Sequence, residues 1–233
     1  MSSDYGYIPQ PIHPAAADSR ARLVARTYTH LLGAMLAFTG IELYLFQSGL
    51  AERIAQAMLG TSWLLVLGGF VLVSWISSRV AHRVESLPAQ YAALGAFVLA
   101  KAIVFVPLLY IANATAPGVI RSAAAVTLFG FAGLTAVALI TRKDFSFLRG
   151  LLMWGGIIAL VMIVAGSLFG FELGTYFSVA MVALAGASIL YDTSNVIHHF
   201  PEDRYVAAAL ELFASVALMF WYVLRLFMGG SRN

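Results

Sequence analysis

The chain has 233 residues, of which 61% are hydrophobic and 11% charged. A soluble domain carries about 25% charged residues, so a water-facing globule is excluded and an integral membrane protein is implied. With no cysteine and a formal net charge of only +3, disulfide and thiolate chemistry are excluded, and the placement of charge along the chain matters more than its sum.

Residues 1–19, MSSDYGYIPQPIHPAAADS, hold three prolines and no helical apolar period, and read as a flexible tail. The basic cluster Arg20, Arg22 and Arg26 comes too late for a signal peptide, and the apolar run behind it lacks a small-residue cleavage site. The expected organisation is a tail over 1–26 with a basic juxtamembrane cluster, a membrane domain over 27–228 and a short C-terminal tail over 229–233.

A bilayer core takes about 20 apolar residues per helix. Seven stretches qualify, at roughly 27–46, 62–80, 88–112, 122–141, 149–169, 174–197 and 205–227. The predicted fold is therefore an all-α membrane protein, a seven-helix bundle. Only TRKDFSF separates the fourth and fifth spans, which makes them an antiparallel pair. With the N-terminus inside, nine basic residues fall on the inner side: Arg20, Arg22, Arg26, Arg79, Arg83, Arg142, Lys143, Arg149 and Arg204. Four fall outside (Arg53, Arg121, Arg225 and Arg232) and Lys101 lies within a span. That asymmetry predicts an N-in, C-out topology. Small residues at Gly150, Gly155, Gly156, Ala183, Gly186 and Ala187 allow close helix approach in lipid.

Four ionisable residues fall inside the spans: Glu42, Lys101, Asp192 and Glu211. A charge at the centre of a membrane helix costs roughly 2.5–3.5 kcal/mol, so such residues usually face the bundle interior and mark a pair or a pathway. Glu42, near the outer end of its span, reads as interfacial, its carboxyl reaching the headgroups. Lys101 is mid-span and needs a carboxylate partner or the loss of its proton. Asp192 lies five residues before the inner end of the sixth span and Glu211 six after the start of the seventh. At about 1.5 Å per residue the two carboxyls sit at similar depth. Ser188, Asn195 and His199 share a stripe with Asp192, and Ala207, Ala208, Ala214 and Ser215 share one with Glu211. Facing carboxyls cannot both ionise cheaply, and would share a proton or bind a cation such as Ca2+. The alternatives are that each acid bonds a backbone carbonyl, or pairs with Lys101, and only locks the bundle.

The motifs of membrane enzymes are missing: there is no HExxH, no GxSG with a transmembrane histidine, no lysine in the last span for retinal and no nucleotide-binding glycine loop. His198 and His199 share the loop HHFPEDR with Glu202 and Asp203, which reads as solvated rather than as a metal centre. No enzymatic activity and no bound cofactor are expected, beyond Ca2+ or H+ as a permeating or bound ion.

Two segments, ITRKDFSFLRG at 140–150 and YDTSNVIHHFPEDRYVAAALELF at 191–213, resemble the Bax inhibitor (transmembrane Bax inhibitor motif) family. The resemblance is greatest to its Gram-negative branch, the YccA-like modulators of the FtsH protease. It implies a seven-helix bundle with a central hydrophobic helix, in the bacterial inner membrane. It also implies binding to a membrane AAA protease of FtsH type, with the tail (Met1, Ser2, Ser3, Asp4 and Tyr5 at its tip) as the protease's handle. Other family members are calcium leak pathways gated by pH through two aspartates in the last two helices. Asp192 matches the first position, and Ser215 stands at the second. Glu211, one turn earlier on the same face, is the substitute carboxylate we consider, with Asn195 and Lys101 as further ion-path candidates. The expected partners are the lipid bilayer and the protease complex, with no nucleic acid, and the chain itself a monomer or weak oligomer.

Overall fold

In the computed structural model, which describes residues 14–230, the chain forms eight helices in the order α1 Pro14–Gln47, α2 Leu50–Leu59, α3 Trp63–Arg83, α4 Leu87–Thr115, α5 Val119–Thr141, α6 Leu148–Phe169, α7 Thr175–His198 and α8 Tyr205–Gly230. Seven of them are long and apolar enough to cross a membrane. A helix is a natural element here because it satisfies its backbone hydrogen bonds within one segment, as lipid requires. Connections are short, and glycine takes left-handed turns beside the helices: Gly118 (φ 86°) at the start of α5 and Gly170 (φ 72°) at the end of α6. Arg142 takes the same conformation at the end of α5 (φ 49°), where the chain breaks into the loop carrying Asp144.

Two elements depart from the sequence reading. First, α1 begins at Pro14, so residues 14–26, assigned above to the tail, continue the first helix. A proline in the first turn and the alanines after it favour this start. Tertiary contacts hold it: Leu23 and Thr27 are buried, and Arg20 Nη1 donates to the carbonyl of Phe200 at 2.7 Å. Second, α2 lies between the first two predicted spans, in a stretch to which no element was assigned. Ten residues cannot span a bilayer, but Ala51 and Ala55, one turn apart, bury one face against α4.

α8 is the central helix. In its most apolar stretch 72% of residues are buried, against 6% in α6, and it touches α1, α3, α4, α5 and α7. Its run Val206–Ala209 is wholly buried, and side chains this small let neighbouring backbones close in. α6 lies at the edge and exposes Leu151, Trp154, Ile158 and Val161, an apolar surface suited to lipid. Of the small residues singled out above, Gly155 is a close approach: a Cβ there would meet Leu184 Cδ1 at 2.7 Å. Gly186 is another, with Leu134 Cδ1 at 3.3 Å, whereas Gly150 and Gly156 face open space. Pro107 sits inside α4, buried. Lacking an N–H, it leaves the Ile103 carbonyl without its usual partner.

One end of the bundle gathers the start of α1, the α3–α4 and α5–α6 loops and the α7–α8 loop. We call it the His198 end, and the opposite one the Asn113 end.

Candidate functional site

The segment Asp192–Ser194 lies on α7 one turn before its C-terminus. Successive helical residues point 100° apart, so three adjacent polar side chains address three different neighbours. Asp192 turns to α8, where its Oδ2 accepts a 2.6 Å hydrogen bond from Ser215 Oγ; both residues are buried. Thr193 turns to α1 and shares a 3.1 Å hydrogen bond with the Tyr28 hydroxyl. Ser194 turns to the α5–α6 loop: its Oγ accepts from the Phe145 N–H at 2.9 Å and donates to the Lys143 carbonyl at 3.2 Å. His199 adds a fourth tie, from Nε2 to Asp144 Oδ2 at 3.0 Å.

Within that loop the Ser146 N–H donates to Asp144 Oδ1 at 2.8 Å. This bond, seconded by the Ser146 hydroxyl and His199, holds the Asp144 carboxyl below its ordinary range. The TRKDFSF and DTSNVIHH motifs are thus two sides of one junction.

Glu211 faces elsewhere. Its Oε1 meets Nε2 of His82, at the end of α3, at 2.8 Å. His82 Nδ1 lies 2.7 Å from the Ser78 carbonyl. A carbonyl only accepts, so Nδ1 carries a hydrogen. The short Nε2–Oε1 contact then needs a second proton, held as imidazolium with carboxylate or as imidazole with carboxylic acid. Ser215 lies four residues deeper than Glu211 on α8, about 6 Å at the helical rise. The His82–Glu211 pair therefore stands between the Asp192–Ser215 pair and the His198 end.

The structure answers the question of Asp192's partner with none of the three expected options. Among the described residues it bonds neither Glu211, nor Lys101, nor a backbone carbonyl. Ser215 is itself the partner. Glu211 is within electrostatic reach of Asp192 but not hydrogen-bonded to it. The Lys101 ammonium lies 4.5 Å from the Phe70 ring centroid and 5.8 Å from that of Phe97, a cation–π site rather than an ion pair. The Asn195 side chain has no hydrogen-bonding partner among the described residues; its carbonyl accepts from His199 and Phe200. No three His, Cys, Asp or Glu side chains gather to ligate a metal among the described residues. Met1, Ser2, Ser3, Asp4 and Tyr5 lie outside them.

Glu42 is corrected. It does not reach an interface: it is buried at 7% exposure, and neither carboxylate oxygen has a hydrogen-bonding partner among the described residues. Its depth along α1 was legible, but the neighbours that enclose it come from α4, α5 and α8. His82, Tyr28 and Ser194 were missed as site residues. Only His82 carried any signal, a titratable group in the last turn of an apolar span.

The family model described as "Inhibitor of apoptosis-promoting Bax1" matches residues 20–233. An uncharacterized protein of Pseudomonas aeruginosa is 29% identical over 225 residues, covering 93% of this chain and 94% of that protein. The Modulator of FtsH protease YccA of Escherichia coli K12 is 34% identical over 100 residues, 42% of this chain and 45% of that protein. An uncharacterized protein of Campylobacter jejuni is 28% identical over 218 residues, covering 88% of each chain.

Proposed function

The chain belongs to the Bax inhibitor family, and from that premise we propose that it is a multi-span inner-membrane protein that binds and restrains an FtsH-type AAA protease. The observation that carries this reading is the 34% identity with the E. coli modulator of that protease. The fold suits the role. A protease that pulls on a terminus must break the bundle to proceed, and the His198 end is tied by Arg20 to the end of α7, by Ser194 to the α5–α6 loop and by Arg204 Nη1 to the Val84 carbonyl at 2.7 Å.

The test is purification of the native protein in lipid nanodiscs from its own membrane, followed by identification of co-purifying proteins and a degradation assay. An FtsH-type protease should accompany it, and deletion of residues 1–13, which leaves the docked start of α1 intact, should slow its own degradation. Free protein alone, with degradation unchanged by the deletion, would overturn the reading.

A second reading rests on a separate observation, the stack of the His82–Glu211 and Asp192–Ser215 pairs. Two protonatable stations in series, in a bundle with an N-in topology, suit a pH-gated leak of protons or Ca2+ that opens to the cytoplasm. The readings are compatible, since a proton-sensitive bundle can also regulate a protease.

A further inference from the structure

The opposite half of the bundle holds a second acidic feature. A cavity of about 790 Å3 lies near the Asn113 end, walled by α1, α4, α5 and α8. It is a lateral fissure: no Cα of α1 comes within 8 Å of one in α5, while both helices pack on α8 behind them. Its entrance carries the exposed side chains of Leu43 and Leu128, so it faces the lipid side of the bundle.

Its chemistry is uneven. Phe38, Phe46, Phe213 and Phe220 bring four aromatic rings to a largely apolar lining, and Glu42 supplies a carboxyl with both oxygens unpartnered. Thr127 Oγ1, also buried in the lining, is likewise unpartnered. A buried carboxyl without a donor is costly and persists where something else satisfies it. Arg121 lines the same cavity but makes no ion pair with Glu42; its side chain is exposed, so water and salt screen it, whereas Glu42 is buried.

We propose that the fissure between α1 and α5 binds an amphiphilic organic cation, with the cationic head against Glu42 and the apolar body among the phenylalanine rings. Aromatic faces and a carboxylate both attract a cation, and the rings also favour its apolar part. The volume falls within the range of small-molecule sites, about 300–1,000 Å3. The lining includes none of Asp192, Ser215, Glu211 and His82, although Phe213 and Val216 of α8 belong to it.

The test measures binding of radiolabelled tetraphenylphosphonium to the full chain in lipid nanodiscs, in alkaline buffer where protons compete least for the carboxylate, with empty nanodiscs subtracted. Tetraphenylborate, of the same shape and opposite charge, is the control. Saturable phosphonium binding is expected, weakened about tenfold or more by Glu42→Gln, a loss in the range of one charge-assisted contact. Ala124→Phe, which fills the cavity and keeps the carboxylate, should weaken it as well. Absence of saturable binding, unchanged binding in either variant, or a preference for tetraphenylborate would overturn the proposal.

Discussion

Ser215 Oγ donates a 2.6 Å hydrogen bond to Asp192 Oδ2 across the most extensive helix–helix interface of the bundle, that of α7 with α8. Both groups are buried, so the serine is the neutral donor that makes an acid tolerable at this depth. Replacing Ser215 by alanine leaves Asp192 unsatisfied. We expect a loss of about 1–3 kcal/mol in stability, read by thermal unfolding in nanodiscs, and a much smaller loss when Asp192→Ala, which removes the acceptor, is already present. An unchanged melting temperature in S215A would show that Asp192 does not depend on this bond.

The His82–Glu211 contact is about one-third exposed on each side, at 31% and 32%. Solvent therefore screens it, and a double-mutant cycle with His82→Gln and Glu211→Gln should return a coupling of only about 0.5–1 kcal/mol. Additive effects of the two substitutions would mean that the pair does not persist in lipid.

If the stacked acids gate a leak, Asp192→Asn and Glu211→Gln should each abolish the pH dependence of cation flux into proteoliposomes, and His82→Gln should alter it by removing the proton shared with Glu211. Flux that is absent, or indifferent to the first two changes, disposes of the gating reading and leaves the protease reading intact.

Asp144 lies outside the spans, and the Ser146 N–H, the Ser146 hydroxyl and His199 hold its carboxyl below the ordinary carboxylate value. A group whose folded pKa is depressed stabilises the fold above its unfolded pKa, about 3.9 for aspartate, and that contribution is lost as pH falls through the folded value. Asp144→Asn should therefore melt below the wild type at neutral pH and converge with it on acidification. A gap that stays constant with pH would assign the loss to geometry rather than to charge.

Arg20 Nη1 reaches the Phe200 carbonyl at 2.7 Å, just beyond the last turn of α7. Arg20→Gln should release the first turns of α1 and raise their backbone hydrogen exchange, with little change in the middle of α8. Unchanged protection in the variant would mean that the other ties of this segment, the burial of Leu23 and Thr27 and the hydrogen bonds of Ser19 to Glu202 and of Tyr28 to Thr193, hold it without Arg20.

The membrane class and the seven spans were legible because each spanning helix satisfies its own backbone and shows its apolar length locally. The depth of Asp192 and Glu211 was legible only to within a turn: rise per residue is a property of one helix, but the offset between two helices is not, and Asp192 lies level with Ser215 rather than with Glu211. The pairing was not legible. Depth placed Glu211 level with Asp192, but the register of α8 against α7 sets Ser215, one turn further along the same face, against Asp192 and leaves Glu211 one turn nearer the His198 end, where His82 of α3 meets it. α2 escaped because ten residues with two buried alanines are too short a pattern to stand out from a loop.

The two motif segments were recognisable in the sequence as belonging together, without a reason. The reason lies in Ser194 and His199, which bind the 142–147 loop across 49 to 55 residues of chain. Glu42 gives the same lesson in reverse: α1 alone offers its carboxyl a route to the headgroups, and only the packing of α1 and α5 on α4 and α8 closes that route. Composition determined that this chain lies in a bilayer and how often it crosses. The rotation and spacing of the helices, set by contacts between residues far apart in sequence, decided which acids are partnered and which one faces an apolar cavity alone.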